Sequence, residues 1–364
     1  MDKYIPTFTD VSEWDVKIYE NTTGTRSKQI VIQPASDKEF FFKGSKELDT
    51  GEIRYPMEFW SEIASSKVGQ FLGFPLLDYN IAYSEHTIQK VGCISASMVD
   101  DTKNNLTEGV VYLTGKKPSY NPETDKKDYT FQFILDTLKL FKLEKHLVKF
   151  LEMLVFDALI GNSDRHQENW GIITYYNEIL NEIEINLKKS ETNYLKKQLI
   201  KLTRYFIKSI PNQLRFLKPN SRFRKNALMA QSEIIKNEFS PIYDSGCCLG
   251  REFVDEKVVK MLSDNQMLDK YLRKGMSEIH WEGLEGKLNH FELLEKLQVD
   301  YRFDIKRVIS RVVSEFDENS ISYIILNLDK NLPEKLNDYK LSEDRKNLMI
   351  KLITLRYNKL ASLI

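Results

Sequence analysis

Residues 160–173 read Ile-Gly-Asn-Ser-Asp-Arg-His-Gln-Glu-Asn-Trp-Gly-Ile-Ile, with Asp164 and Asn169 five apart in a polar loop between two apolar runs. Phosphoryl transfer needs such a pair: a carboxylate to hold the incoming hydroxyl, and an amide oxygen close behind it to ligate magnesium. The Gly161-Asn162 entry and the Trp170-Gly171 exit predict a tight loop whose polar side chains face a cleft. Taken alone, Asp-x4-Asn is equally ordinary turn chemistry. The fold therefore rests on what else the chain supplies.

Four further parts answer. Phe40-Phe41-Phe42-Lys43 is a short apolar strand closing on a lysine, whose stem could carry its ammonium to the α/β-phosphates of ATP. Glu62 sits among apolar neighbours in a helix predicted over Met57–Leu72, where it could orient Lys43; Glu58, one turn earlier, competes for that role. Residues 21–28 read Asn-Thr-Thr-Gly-Thr-Arg-Ser-Lys, offering Thr22, Thr23, Gly24 and Thr25 to cap phosphates. With one glycine this loop matches neither Gly-x-Gly-x-x-Gly nor the Walker pattern, and an ordinary hairpin loop fits it as well. Asp244 follows the strand-like Pro241-Ile242-Tyr243 and precedes Ser245-Gly246, where a carboxylate could bridge magnesium and phosphate. Each part has a bland reading as an exposed lysine, a solvated glutamate or a simple turn. Their order along the chain is what persuades.

The texture of the chain agrees. Up to Met98 it is mostly strand-like, with alternating stretches near Val16 and Ile30; beyond Asp100 it is helical, from Phe131 to Phe141, Leu143 to Leu159, and most of 251–364. Phe303, Val308, Val312 and Phe316 form one predicted stripe. The expectation is an α+β, bilobal, protein-kinase-like fold: a small β-rich lobe over 1–98 and a large helical lobe over 99–364, with Ser97 and Met98 at a nucleotide-contacting hinge.

Gly161–Gly171 resembles the catalytic loop of HipA-like serine/threonine kinases, the toxin kinases of bacterial toxin–antitoxin modules, and Pro241–Gly250 is similar to their metal-binding segment. Phe42-Lys43 and Ser61-Glu62 match the lysine and helical glutamate of that family. The resemblance implies that Asp164 orients or deprotonates the acceptor hydroxyl, that Asn169 and Asp244 hold magnesium, and that Lys43, set by Glu62, holds the α/β-phosphates. His166 would brace the loop beside the nucleotide. Asn21 occupies the place of an autophosphorylated serine in the family, so modification would fall on Thr22 or Thr23 instead. The resemblance also implies a protein substrate such as a translation factor or tRNA-charging enzyme, and a small antitoxin or a separate subdomain as partner.

Between Asn169 and Asp244 lies a segment longer than a hairpin needs. From Leu187 to Leu228 it carries twelve lysines and arginines against the single Glu191, in a chain with 53 basic and 53 acidic residues. Leu195, Leu199, Leu202, Phe206 and Ile210 form an apolar stripe predicted to end at Pro211. A basic amphipathic helix over 177–238 can pack its stripe on the large lobe, dock a substrate or RNA, or meet an anionic lipid surface.

Cys93, Cys247 and Cys248 are an odd set with no disulfide or zinc spacing, read as apolar fillers in a reducing compartment. With no apolar leader or membrane-length run, a cytoplasmic protein is expected. The combined reading is an ATP- and magnesium-dependent serine/threonine kinase. A phosphoinositide-type lipid kinase and a nucleotide-binding pseudokinase remain the alternatives.

Overall fold

The structure, a computed structural model, describes residues 1–17, 28–45, 48, 50–100, 103–188, 194–216, 218 and 221–364. Strands β1 (Phe8–Asp10), β2 (Asp15–Val16), β3 (Lys28–Ile32) and β4 (Glu39–Lys43) precede helix α1 (Glu58–Phe71); β5 (Asn80–Tyr83) and β6 (Val91–Ala96) follow it. They form one sheet in the order β1-β5-β6-β4-β3-β2, antiparallel except for β1 with β5. Phe42 and Lys43, at the inner end of β4, are buried because β3 and β6 flank them on both sides.

Helix α1 is buried along every residue from Glu58 to Gly69. A surface helix would show one polar face. This one has the sheet on one side and the helical lobe on the other, so that Trp60 Nε1 donates to Tyr339 O at 2.8 Å. Its Phe59, Trp60, Ile63 and Val68 share one continuous core with Leu154 and Phe156 of the larger lobe. Gly73, at φ +75°, ends it in the left-handed conformation that glycine adopts without strain.

Past the hinge come β7 (Asn105–Glu108), α2 (Gly109–Lys116), α3 (Phe131–Leu140) and α4 (Leu147–Ile160), the last mostly apolar and buried from Phe150 onward. Strands β8 (Gly171–Thr174) and β9 (Asn237–Phe239) then pair antiparallel, with β7 on the far edge of β8. The Asp164–Asn169 loop therefore enters β8, and the Asp244 segment leaves β9, on neighbouring strands. The strand expected at Pro241–Tyr243 lies a few residues early: Asn237–Phe239 makes the ladder, while Ile242 makes an isolated bridge to Leu76, since the chain there turns from its own hairpin to the smaller lobe.

Between β8 and β9 stand α5 (Tyr176–Lys188), α6 (Tyr194–Phe216) and α7 (Arg222–Ile234). Gln231 of α7 is buried and anchors this insertion. Its amide nitrogen lies within hydrogen-bond reach of Thr107 Oγ1, Tyr112 OH and Thr174 Oγ1 (3.0, 3.2 and 2.8 Å), and its oxygen accepts from Tyr176 OH at 2.9 Å. Helix α6 departs from the expectation twice. It continues past Pro211 to Phe216, because Ile207, Ile210 and Leu214 are buried, and that packing offsets the amide hydrogen proline lacks. The predicted stripe is also buried only at Ile210 among Leu199, Leu202, Phe206 and Ile210: Leu199 and Leu202 are 65% and 66% exposed, and Phe206 is exposed too. The helix is seated by its C-terminal half only.

The remainder comprises α8 (Asp255–Ser263), α9 (Asn265–Arg273), the hairpin β10 (Met276–His280) and β11 (Lys287–Asn289), then α10 (His290–Glu315), α11 (Glu318–Leu326) and α12 (Glu343–Ala361). Of the stripe predicted on α10, Val308 and Val312 are buried; Phe303 points outward, since the helix departs from regular geometry at Tyr301 and the face shifts. No helix among the described residues is long and apolar enough to cross a membrane.

Candidate active site

Helix α4 ends at Gly161, which has φ +73° and stands so close to Arg356 that a Cβ would lie 2.5 Å from its Cζ. Backbone conformation and space both demand glycine here. The loop that follows is organised by Arg165. Its guanidinium is buried and forms a two-point fork to Asp157 of α4 (Nε to Oδ2 2.9 Å, Nη2 to Oδ1 2.8 Å). It also donates to Asn169 O at 2.8 Å, to Tyr243 O at 2.6 Å and to Ser245 Oγ at 3.1 Å. Burial works against its charge, but the Asp157 carboxylate more than offsets this and raises its pKa. One side chain thus clasps both halves of the site.

What it clasps is strained. Asp244 has φ +56°, sparsely populated for a residue with a side chain and costing on the order of 1 kcal/mol or more. The two residues flanking it are the ones Arg165 grips, so the conformation is imposed from outside. Asp244 then receives two cations. Lys43 Nζ reaches Oδ1 at 3.1 Å, and Lys28 Nζ reaches Oδ2 at 3.3 Å; the two lysines face each other across the β3–β4 ladder. Lys43 also donates to Tyr79 OH at 3.1 Å. Burial first, then the charges of Glu62 and Asp244, push that phenol's pKa up although Lys43 pulls it down, so all four groups form one cluster.

Glu62 reaches the same segment from α1, accepting from Ser245 N at 2.9 Å. Glu58 takes a different partner, Arg251, at 2.6 Å, which separates the two glutamates' roles. Asn169 is buried; its Nδ2 donates to Asp164 O at 2.7 Å, leaving Oδ1 as an acceptor. His166 Nδ1 accepts from Glu168 N at 3.3 Å, a bond internal to the loop. Asp164 Oδ2 accepts from Cys247 Sγ at 3.3 Å. All three cysteines are buried, but Cys247 and Cys248 are more than fillers: they touch Asp164, Glu58 and Ser65, because the segment is folded back between α1 and the loop.

Ser97 follows β6 directly; its amide donates to Glu39 O at 2.8 Å, with half-buried Met98 next to it, so both stand at the crossover between lobes. Thr22, Thr23, Gly24 and Thr25 lie outside the described residues.

Three members of this arrangement escaped the sequence reading. Arg165 stood inside the quoted loop without a role assigned to it, and its partner Asp157 lay hidden in a mostly apolar helix. Lys28 was noticed only as part of a loop. Glu108 gave no local signal. It ends β7, and burial together with Glu168 and Asp244, against Lys28, raises its pKa to about 7. An open strand end beside three charged groups is visible only once β7 is known to pair with β8.

No known family model matches the chain, and no curated protein matches it by sequence. Among solved structures, the Helicobacter pylori proinflammatory kinase CtkA superimposes with a TM-score of 0.64 at 18% identity, over 98% of this chain and 96% of that one. The chain shares this kinase's fold. A Shewanella oneidensis HipA, solved with HipB and operator DNA, aligns at a TM-score of 0.45 and 11% identity, over 96% of this chain and 66% of that one.

Proposed function

We propose that this protein is an ATP- and magnesium-dependent kinase that phosphorylates a serine or threonine of a protein. The observation that supports this most is the meeting of Lys43, Lys28 and Asp244 beside the Asp164–Asn169 loop, all locked through Arg165. Lys43 and Lys28 would bind the oxygens of a nucleotide's phosphates. Asn169 Oδ1 and the Asp244 carboxylate are hard oxygen donors, the kind magnesium takes, so these two would hold the ion. Bound there, magnesium supplies positive charge to the phosphate oxygens. Asp164 accepts a hydrogen bond from the acceptor hydroxyl and takes its proton as the new O–P bond forms and the bridge to the leaving phosphate breaks. The Cys247 thiol, donating to the other carboxylate oxygen, fixes the direction in which Asp164 presents itself.

Through the likeness of its loops to HipA-like kinases, the proposal extends to a target in translation and to a small protein partner. Autophosphorylation at Thr22 or Thr23 would place roughly −1.5 to −2 charges where ATP phosphates belong, and so oppose nucleotide binding. The exposed apolar side chains on basic α6 favour one second reading, a lipid substrate at an anionic surface.

γ-labelled ATP in lysate, wild type against Asp164→Ala, tests these together. Label in a protein band, lost by about a thousandfold or more in the variant while nucleotide binding persists, is the expected outcome. Label in extracted lipid would replace the protein substrate by a lipid, and no label at all, with ATP still bound, would leave a binding module.

A further inference from the structure

A cavity of about 720 Å³ opens next to the loop, with Ser163 and Cys247 in its wall; neither Lys28 nor Lys43 lines it. It is thus a second space at Asp164, apart from the lysines that hold Asp244. Its lining is cationic: Arg251, Lys257, Lys270, Lys274 and Arg356 against Glu252 alone. Glu58 neutralises Arg251. Among the described residues no carboxylate pairs with Lys270, Lys274 or Arg356, and the two lysines are exposed at its mouth.

Arg356 is the unusual member. Only 2% exposed, it makes a single hydrogen bond among the described residues, from Nη1 to Ala158 O at 3.1 Å. Its guanidinium lies in a slot between Gly161 and Gly275, where a Cβ on either would come within 2.5 Å of it. A buried cation without a counter-charge costs free energy that an arriving anion would recover. Burial lowers its pKa for that reason. The slot adjoins Gly161, three residues before Asp164. At about 3.3–3.6 Å per extended residue, an anion seated here belongs to a residue close in sequence to the acceptor.

We propose that this cavity takes a carboxylate of the acceptor protein, so that the substrate is an acidic peptide with aspartate or glutamate within a few residues of the accepting hydroxyl. The proposal rests on the kinase reading for its acceptor, but not for its anion. Arg356 supplies the buried contact, and Lys270 and Lys274 draw the peptide in.

The test is fluorescence anisotropy with three labelled peptides, each with one serine, flanked by glutamates, by alanines or by phosphoserines. The proteins are wild type and the doubly reversed K270E/K274E, whose exposed positions leave folding intact, as checked by thermal melting. Wild type is expected to bind the glutamate peptide about tenfold or more tighter than the alanine peptide, and the variant to lose that preference. Equal affinities, or a preference the variant keeps, would overturn the proposal. Much tighter binding of the phosphoserine peptide would overturn the carboxylate in favour of a phosphate. Phosphate transfer to the same peptides separates the two readings: binding preference without transfer sinks the kinase and leaves the cavity's assignment standing, while transfer without preference does the reverse.

Discussion

The hairpin strands β8 and β9 and the insertion between them hold their side chains on opposite terms. Around the hairpin, charged groups are withdrawn from solvent and paired with one another: Arg165 with Asp157, Lys43 and Lys28 with Asp244, Glu62 with the Ser245 amide. In α6, apolar groups are exposed, with Leu199, Leu202 and Tyr205 between 65% and 77% accessible. The first arrangement fixes geometry at the cost of desolvation, and the second leaves surface free for another body. Gln231 joins them, so the insertion is rigid at its base and open beyond it.

Arg165→Met is the strongest way to break the contrast. It leaves Asp157 buried and unpaired and releases Asp244 from its strained turn. A loss of about 3–5 kcal/mol is expected in denaturant unfolding, with phosphate transfer abolished. A variant that unfolds like wild type would mean the clasp is dispensable. On the insertion, Ile207→Ala should cost roughly 2–4 kcal/mol locally, whereas Leu202→Ala, about 1.4 turns away on the outward face, should stay within about 0.5 kcal/mol. Equal costs would show that α6 packs on its outward face after all. If the outward face docks the target, Leu202→Ala should still raise KM for that target while leaving small-peptide turnover alone.

The smallest expected effect is at Glu108. Its folded pKa of about 7 exceeds the ordinary 4.5, so the folded state holds a proton that the unfolded chain has released. Stability from this group is present below about pH 4.5 and is lost as pH rises through 7. Glu108→Gln should flatten that fall, raising the melting temperature by roughly 2–4 °C at pH 8 and hardly at all at pH 5. Parallel melting curves for both proteins at every pH would remove Glu108 from the charged cluster.

How far the chain could be read in advance differs along the same line. Lys43, Glu62, Asp164, Asn169 and Asp244, which the fold brings together, could be singled out because each sits in a local pattern: an apolar strand end, a helix face, a loop bounded by glycines. The bilobal α+β outline was legible from the change of texture near Met98. Which part of the α6 stripe is covered could not be read, because a periodic stripe states that one side of a helix is apolar, not that anything covers it. Glu108 and Arg356 carried no pattern at all, and the role of Lys28 was hidden, since the groups they meet stand far off in sequence.

By itself, then, the sequence determined which residues could be proposed for the chemistry, since a loop of Asp-x4-Asn type and a strand-end lysine need only their neighbours to be recognised. Only the tertiary structure decided how that chemistry is held and approached. The pairing of β8 with β9 brings Asp164 and Asp244 together, burial turns Arg165 from a loop residue into a clasp, and the glycine slot leaves Arg356 facing a cavity without an anion. Burial and long-range pairing depend on the whole chain closing on itself, so no local stretch could announce them.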